Sequence, residues 1–159
     1  MNAKKVDILF VEDNHYEAKL AIHNLKKHNL AANLLHLNDG EQAVDYLFGT
    51  GSYAGRDLSN KRKVILLDIN LPKVNGMDIL SMVKKDPRTS SIPVVILTAS
   101  RVSDDINTGY ALGANSYIVK PVDFESFSRT VSDLGIYWSM LNQTTPHIHD
   151  SLWMSINDI

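Results

Sequence analysis

Apolar residues in this chain fall into two alternating patterns. Short continuous runs occur at Val6-Asp7-Ile8-Leu9-Phe10-Val11, Asn33-Leu34-Leu35-His36-Leu37, Lys63-Val64-Ile65-Leu66-Leu67, Ile92-Pro93-Val94-Val95-Ile96-Leu97-Thr98 and Ser116-Tyr117-Ile118-Val119-Lys120. Runs of that length, bounded by turn residues, suit strands covered on both faces. Between them the apolar positions spread to helical spacing. Ala18, Ile22, Leu25 and Leu30 make one stripe behind the N-cap Asn14, and a second helix, residues 41–48, follows the turn Asp39-Gly40. A third, residues 77–85, is stopped by Asp86-Pro87, and a fourth, residues 103–112, is closed by Gly113. Asp123 caps a fifth, with Phe124, Phe127, Val131, Leu134 and Trp138 facing inward. Strand and helix alternate throughout, which predicts an α/β fold: a five-stranded parallel sheet with helices on both faces.

No repeat or linker divides this pattern. It predicts one domain over residues 5–140 and a C-terminal tail, residues 141–159, too short for an output domain. Residues 49–60 form a Gly- and Ser-rich surface loop; Gly49, Gly51 and Gly55 follow a helix rather than a strand and match no phosphate-loop pattern. His147 and His149 in the tail read as solvated rather than as metal ligands, and Asn142-Gln143-Thr144 is a glycosylation acceptor only in form.

With 44% hydrophobic and 21% charged residues the chain has ordinary globular composition, and a net charge of −2 gives no reason to expect nucleic-acid binding. Lys26-Lys27 and Lys61-Arg62-Lys63 read as solvated surface. The apolar runs are strand-length, so no membrane span is expected, and Asp7 comes too early for a signal peptide; the expected location is the cytoplasm. The absence of cysteine excludes disulfide and thiol chemistry.

The runs end in chemistry. Glu12-Asp13 follows the first, Asp68 the third, Thr98 ends the fourth and Lys120 the fifth. A parallel sheet brings all of these ends to one edge, where ligands bind in open α/β folds. Three carboxylates there repel one another unless a cation sits among them, and oxygen ligands with room for water suit Mg²⁺. A metal ion, an ammonium and a hydroxyl converging on one carboxylate are the parts that hold a phosphoryl group, with Asp68 as nucleophile and an acyl phosphate as product.

These residues resemble the two-component response-regulator receiver domain. The likeness rests on Glu12-Asp13, on Asp68 with Leu71-Pro72 and Gly76 behind it, on Thr98-Ala99, and on Tyr117 three residues before Lys120-Pro121. It implies a flavodoxin-like, doubly wound sheet in strand order 2-1-3-4-5 and phosphotransfer to Asp68 from a sensor histidine kinase, with Mg²⁺ or Mn²⁺ as cofactor. By the same resemblance, Asp13, Asp68 and the Asn70 main-chain oxygen ligate the metal, and Glu12 acts through water. Thr98, Ala99 and Lys120 bind the phosphoryl group, and Tyr117 swings inward to re-form the surface of the fourth helix, fifth strand and fifth helix. Asn70 and Ser100 tune the lifetime of the signal, and the Lys120-Pro121 peptide is cis.

The 49–60 loop resembles the regulators that serve phytochrome-like kinases. The expected partners are such a kinase, a downstream protein, and a second copy of the chain, because Ile136, Tyr137 and Met140 lie off the inward stripe of the last helix. The expected protein is a regulator, not an enzyme with a substrate of its own. Three other readings fit less of the pattern. A phosphatase of the haloacid dehalogenase type places a second aspartate where this chain has Asn70. A flavin carrier needs a phosphate cradle where Glu12-Asp13 stands, and a pseudo-receiver has no use for the intact set of groups.

Overall fold

The computed structural model describes residues 5–59 and 62–144. Strands β1 (Ile8–Val11), β2 (Leu34–Leu37), β3 (Val64–Leu67), β4 (Val94–Thr98) and β5 (Ser116–Val119) alternate with helices α1 (His15–Lys27), α2 (Gly40–Phe48), α3 (Gly76–Lys85), α4 (Ser103–Ala111) and α5 (Phe124–Ile136). All strands are parallel, in the order β2-β1-β3-β4-β5. The continuous apolar runs are explained by the strand period of two, because alternate residues feed different cores. Leu9, Val11, Ile65, Leu67 and Ile96 pack with Ala43, Tyr46 and Leu47 of α2 and Ile79, Leu80 and Val83 of α3. Ile8, Phe10, Leu66, Val95 and Leu97 face the other way, onto Ala18, Ala21 and Leu25 of α1 and Phe127, Val131 and Leu134 of α5.

Register carries the strand ends to one place. Val11 pairs with Leu67, so Glu12 and Asp68, the next residues, emerge side by side; Thr98 pairs with Val119, so Lys120 emerges one residue beyond Thr98. The caps expected at Asn14 and Asp123 form, Asn14 accepting from Glu17 N–H at 3.0 Å and Asp123 from Ser126 N–H at 2.8 Å, and Asp39, expected as a turn residue, caps α2 by accepting from Gln42 N–H at 2.8 Å. Asn75 caps α3 in the same way, accepting from Asp78 N–H at 3.0 Å.

Several expectations change. Phe124 opens α5 but is 65% exposed, because a side chain in the first turn leans back over the turn before it, and the inward stripe starts at Phe127. Leu30 lies beyond the end of α1: Asn29 takes a φ of +59° and the chain re-enters, with Leu30 packed against the α1 and α5 core. Arg62 is buried, not solvated. Its guanidinium lies 5.6 Å from the Tyr46 ring centroid and donates to the Tyr46 hydroxyl, while Arg56 from the 49–60 loop stacks at 4.0 Å on the same ring. A planar, weakly hydrated guanidinium loses less on burial against an aromatic face than an ammonium does. Lys63 is half-buried and donates to the Ser139 carbonyl at 3.0 Å. Lys61 and the tail with His147 and His149 lie outside the described residues. After Ile136 the last helix widens into a π-helical turn, Tyr137–Leu141.

Gly76 brings the start of α3 close against the strand end that bears Asp68. Its N–H donates to the Ile69 carbonyl at 2.7 Å, and a Cβ there would sit 2.0 Å from the Asp68 carbonyl oxygen. Gly76→Ala is therefore expected to lower stability by about 1–3 kcal/mol in urea unfolding, and an unchanged midpoint would contradict this packing.

Candidate functional site

The ladder runs one residue past the strands and fixes the groups that follow. Glu12 N–H donates to the Leu37 carbonyl at 3.0 Å, Asp68 N–H to the Val11 carbonyl at 3.2 Å, and Lys120 N–H to the Thr98 carbonyl at 2.7 Å. Glu12, Asp68, Thr98 and Lys120 are all buried, and Asp13 is exposed at the rim. Glu12, Asp13 and Asp68 each offer a carboxylate oxygen within 4.8 Å of the others. The set is made of oxygen donors only, open to solvent at Asp13, which fits a hard divalent cation.

Lys120 reaches into this group. Its Nζ donates to Asp68 Oδ2 at 2.9 Å and to Glu17 Oε2 at 2.5 Å, and it makes an ion pair with Glu12 Oε1. Burial alone would lower the Lys120 ammonium, but its bonds to Asp68, Glu12 and Glu17 outweigh that and hold it above the usual lysine range. Burial is also the larger influence on Glu12, pushing its carboxyl above the usual carboxylate range against the lowering pull of Lys120. The second Glu12 oxygen accepts from Asn14 N–H at 3.2 Å, and its carbonyl lies 2.8 Å from His36 Nε2.

Thr98 is 0% exposed, and its Oγ1 has no hydrogen-bond partner among the described residues. A buried hydroxyl left without a partner costs about 1–3 kcal/mol, so this one is a donor held ready for an acceptor. Asp68 Oδ1 takes only a long, 3.4 Å bond from Asn70 N–H and is the less engaged of the two carboxylate oxygens. Asn70 and Ala99 are exposed at the mouth. Ser100 turns its hydroxyl to Asp105 Oδ2 at 2.5 Å, and its carbonyl accepts from the Tyr117 hydroxyl at 3.0 Å. The Tyr117 ring packs where Gly109 has no side chain, since a Cβ there would lie 3.2 Å from Tyr117 Cδ2.

The Lys120-Pro121 peptide is trans, not cis, as are all peptides among the described residues. Trans is favoured by about 0.5–1 kcal/mol before proline, and from it Lys120 still reaches Asp68. The residues that the pattern of strand ends does not reveal are Glu17, His36 and Asp105. Glu17 belongs to the first turn of α1, where side chains lean back toward the preceding strand end; its place three residues after the Asn14 cap is the only signal in the sequence.

The family model of the response regulator receiver domain matches residues 8–132. The probable methanogenesis regulatory protein FilR2 of Methanothrix harundinacea is 39% identical over 86% of this chain and 86% of its own. The Mn²⁺-bound response regulator Rcp1 superposes with a TM-score of 0.81 at 33% identity, over 89% of this chain and 99% of that one; the Rcp1 sequence comes from a Synechocystis strain. The phosphorylated cyanobacterial phytochrome response regulator RcpA gives 0.80 at 32% identity, over 88% and 98%.

The raised Glu12 carboxyl sets a pH dependence. A cation entering beside Asp13 and Asp68 favours the ionised form of Glu12, so binding displaces its proton. Apparent Mn²⁺ affinity, followed by water-proton relaxation, is expected to go on rising with pH beyond the ordinary carboxylate range and then to level off. A flat profile below that point would contradict the raised carboxyl.

Proposed function

The chain belongs to the response-regulator receiver family, and from that membership and the geometry at Asp68 we propose that it accepts a phosphoryl group on Asp68 from the phosphohistidine of a sensor kinase. The observation that carries this reading is an ammonium, Lys120, bonded to Asp68, with an unpartnered buried hydroxyl, Thr98, at the end of the adjacent strand. Asp68 Oδ1 attacks phosphorus, the bond from phosphorus to the imidazole nitrogen breaks, and its electron pair returns to the ring. The product is an acyl phosphate.

Asp13, Asp68 and the Asn70 main-chain oxygen would hold Mg²⁺ or Mn²⁺, with Glu12 acting through water. When bound, the cation offsets charge on the phosphoryl oxygens. Lys120 turns one N–H donor onto a phosphoryl oxygen, Thr98 supplies its free hydroxyl to another, and Ala99 lines the mouth beside it. Asn70 and Ser100 stand at the rim, where they govern the approach of hydrolytic water.

The signal leaves through the β4 to α4 connection. Movement of Thr98 toward the phosphoryl group shifts Ser100, whose carbonyl holds Tyr117 and whose hydroxyl holds Asp105 of α4. The surface of α4, β5 and α5 is thereby re-formed for a protein partner, including a second copy of the chain, and it exposes Tyr110, Tyr137 and Met140. The likeness to RcpA, a phytochrome response regulator, supports a phytochrome-like kinase as the donor.

Incubation with acetyl phosphate and Mg²⁺ is expected to add one phosphoryl mass to the wild-type chain and none to Asp68→Asn. Thr98→Val should still be labelled but should lose the change at Tyr117, read as its ring resonance. An adduct retained in Asp68→Asn, or none in the wild type while a control receiver is labelled, would overturn the proposal.

A further inference from the structure

The phosphoryl site as read so far makes no use of Glu17, yet the Lys120 ammonium is 2.5 Å from its Oε2. Three residues after an Asn cap, a glutamate ordinarily bends back to bond the N–H of the cap, closing a capping box. In this chain that N–H is taken: Asn14 donates it to Glu12 Oε2 at 3.2 Å. Glu17 keeps only the backbone half of the motif, its N–H on Asn14 Oδ1 at 3.0 Å, and its carboxylate is released to Lys120. Nor does Glu17 belong to the cation set, which consists of Glu12, Asp13 and Asp68.

An ammonium has three N–H donors. On Lys120 they meet Asp68, Glu12 and Glu17, so no donor remains for a phosphoryl oxygen unless one carboxylate yields. Asp68 is the acceptor to be modified and Glu12 is buried, whereas the Glu17 side chain is 36% exposed and comes from a helix rather than from the sheet. We infer that Glu17 is a positioning residue that holds Lys120 back from the phosphoryl group and thereby limits how strongly the site retains it. The inference rests on the phosphoryl-accepting reading of Asp68. Glu17→Gln keeps the shape and an acceptor oxygen but removes the charge, and both consequences act in one direction: the hold on the ammonium weakens, because a neutral amide accepts less strongly than a carboxylate, and one negative charge near an incoming anion is gone.

The test compares wild type with Glu17→Gln in two measurements at saturating Mg²⁺. One is the affinity for beryllofluoride, which adds to a carboxylate oxygen in the shape of a phosphoryl group; the other is the ¹⁵N resonance of Lys120 Nζ, assigned with Lys120→Arg. For a partly exposed ion pair the expected gain is about two- to five-fold tighter beryllofluoride binding, accompanied by a shifted Nζ resonance. A merely structural glutamate would not tighten anion binding when lost. Unchanged or weaker binding by the variant, or an unmoved Nζ resonance, overturns the role of Glu17 alone. A wild-type protein that binds no beryllofluoride overturns the reading of Asp68 itself, and this inference with it.

Discussion

Three carboxylates, Glu12, Glu17 and Asp68, meet on the single ammonium of Lys120 at the carboxyl edge of the sheet. Two of the three are buried, and a buried charge that loses its partner costs about 3–5 kcal/mol. Lys120 therefore does two things at once. It makes an otherwise repulsive group of acids tolerable inside the fold, and it stands where a phosphoryl group on Asp68 would need a cation. The acids in turn keep the lysine charged against its own burial. Neither half of the arrangement is stable without the other, so the site is assembled by folding, before any ligand arrives.

The rest of the fold is the means of delivering those ends. The strands are short and parallel, the three central ones buried on both faces, and their register leaves Glu12 beside Asp68, and Lys120 one residue beyond Thr98. Alternate side chains of each central strand are fixed in two separate cores, so a one-residue slip would exchange the cores. This rigidity places the functional groups without loops of their own. One step out, Ser100, Asp105 and Tyr117 tie the connection after β4 to α4 and β5.

The strand ends were legible because each is a continuous apolar run that stops in a polar residue, and a parallel sheet converts that pattern into proximity. Asp13, Asp68, Thr98 and Lys120 could be placed together from the chain alone. Contacts between one long side chain and another could not. Glu17 reads as an ordinary helix-cap residue until Glu12 is seen to occupy its usual partner. Arg62 reads as solvent-facing in a basic cluster, and its burial depends on the Tyr46 ring, contributed by a helix distant in sequence. Phe124 is apolar yet exposed, since in the first turn of α5 its side chain leans back over the turn before it rather than onto the sheet.

The proposed function requires that, of the three carboxylates held by Lys120, Asp68 is the one that accepts phosphorus. The most direct measurement is to label the protein with a small phosphodonor and Mg²⁺, reduce the acyl phosphate with borohydride, and sequence the peptides by mass spectrometry. Reduction converts the phosphorylated aspartate to homoserine, and the account predicts homoserine at position 68. Homoserine at position 13, with Asp68 unchanged, would show that the nucleophile is the exposed carboxylate at the rim, and the roles given to Lys120 and Thr98 would then fall with it.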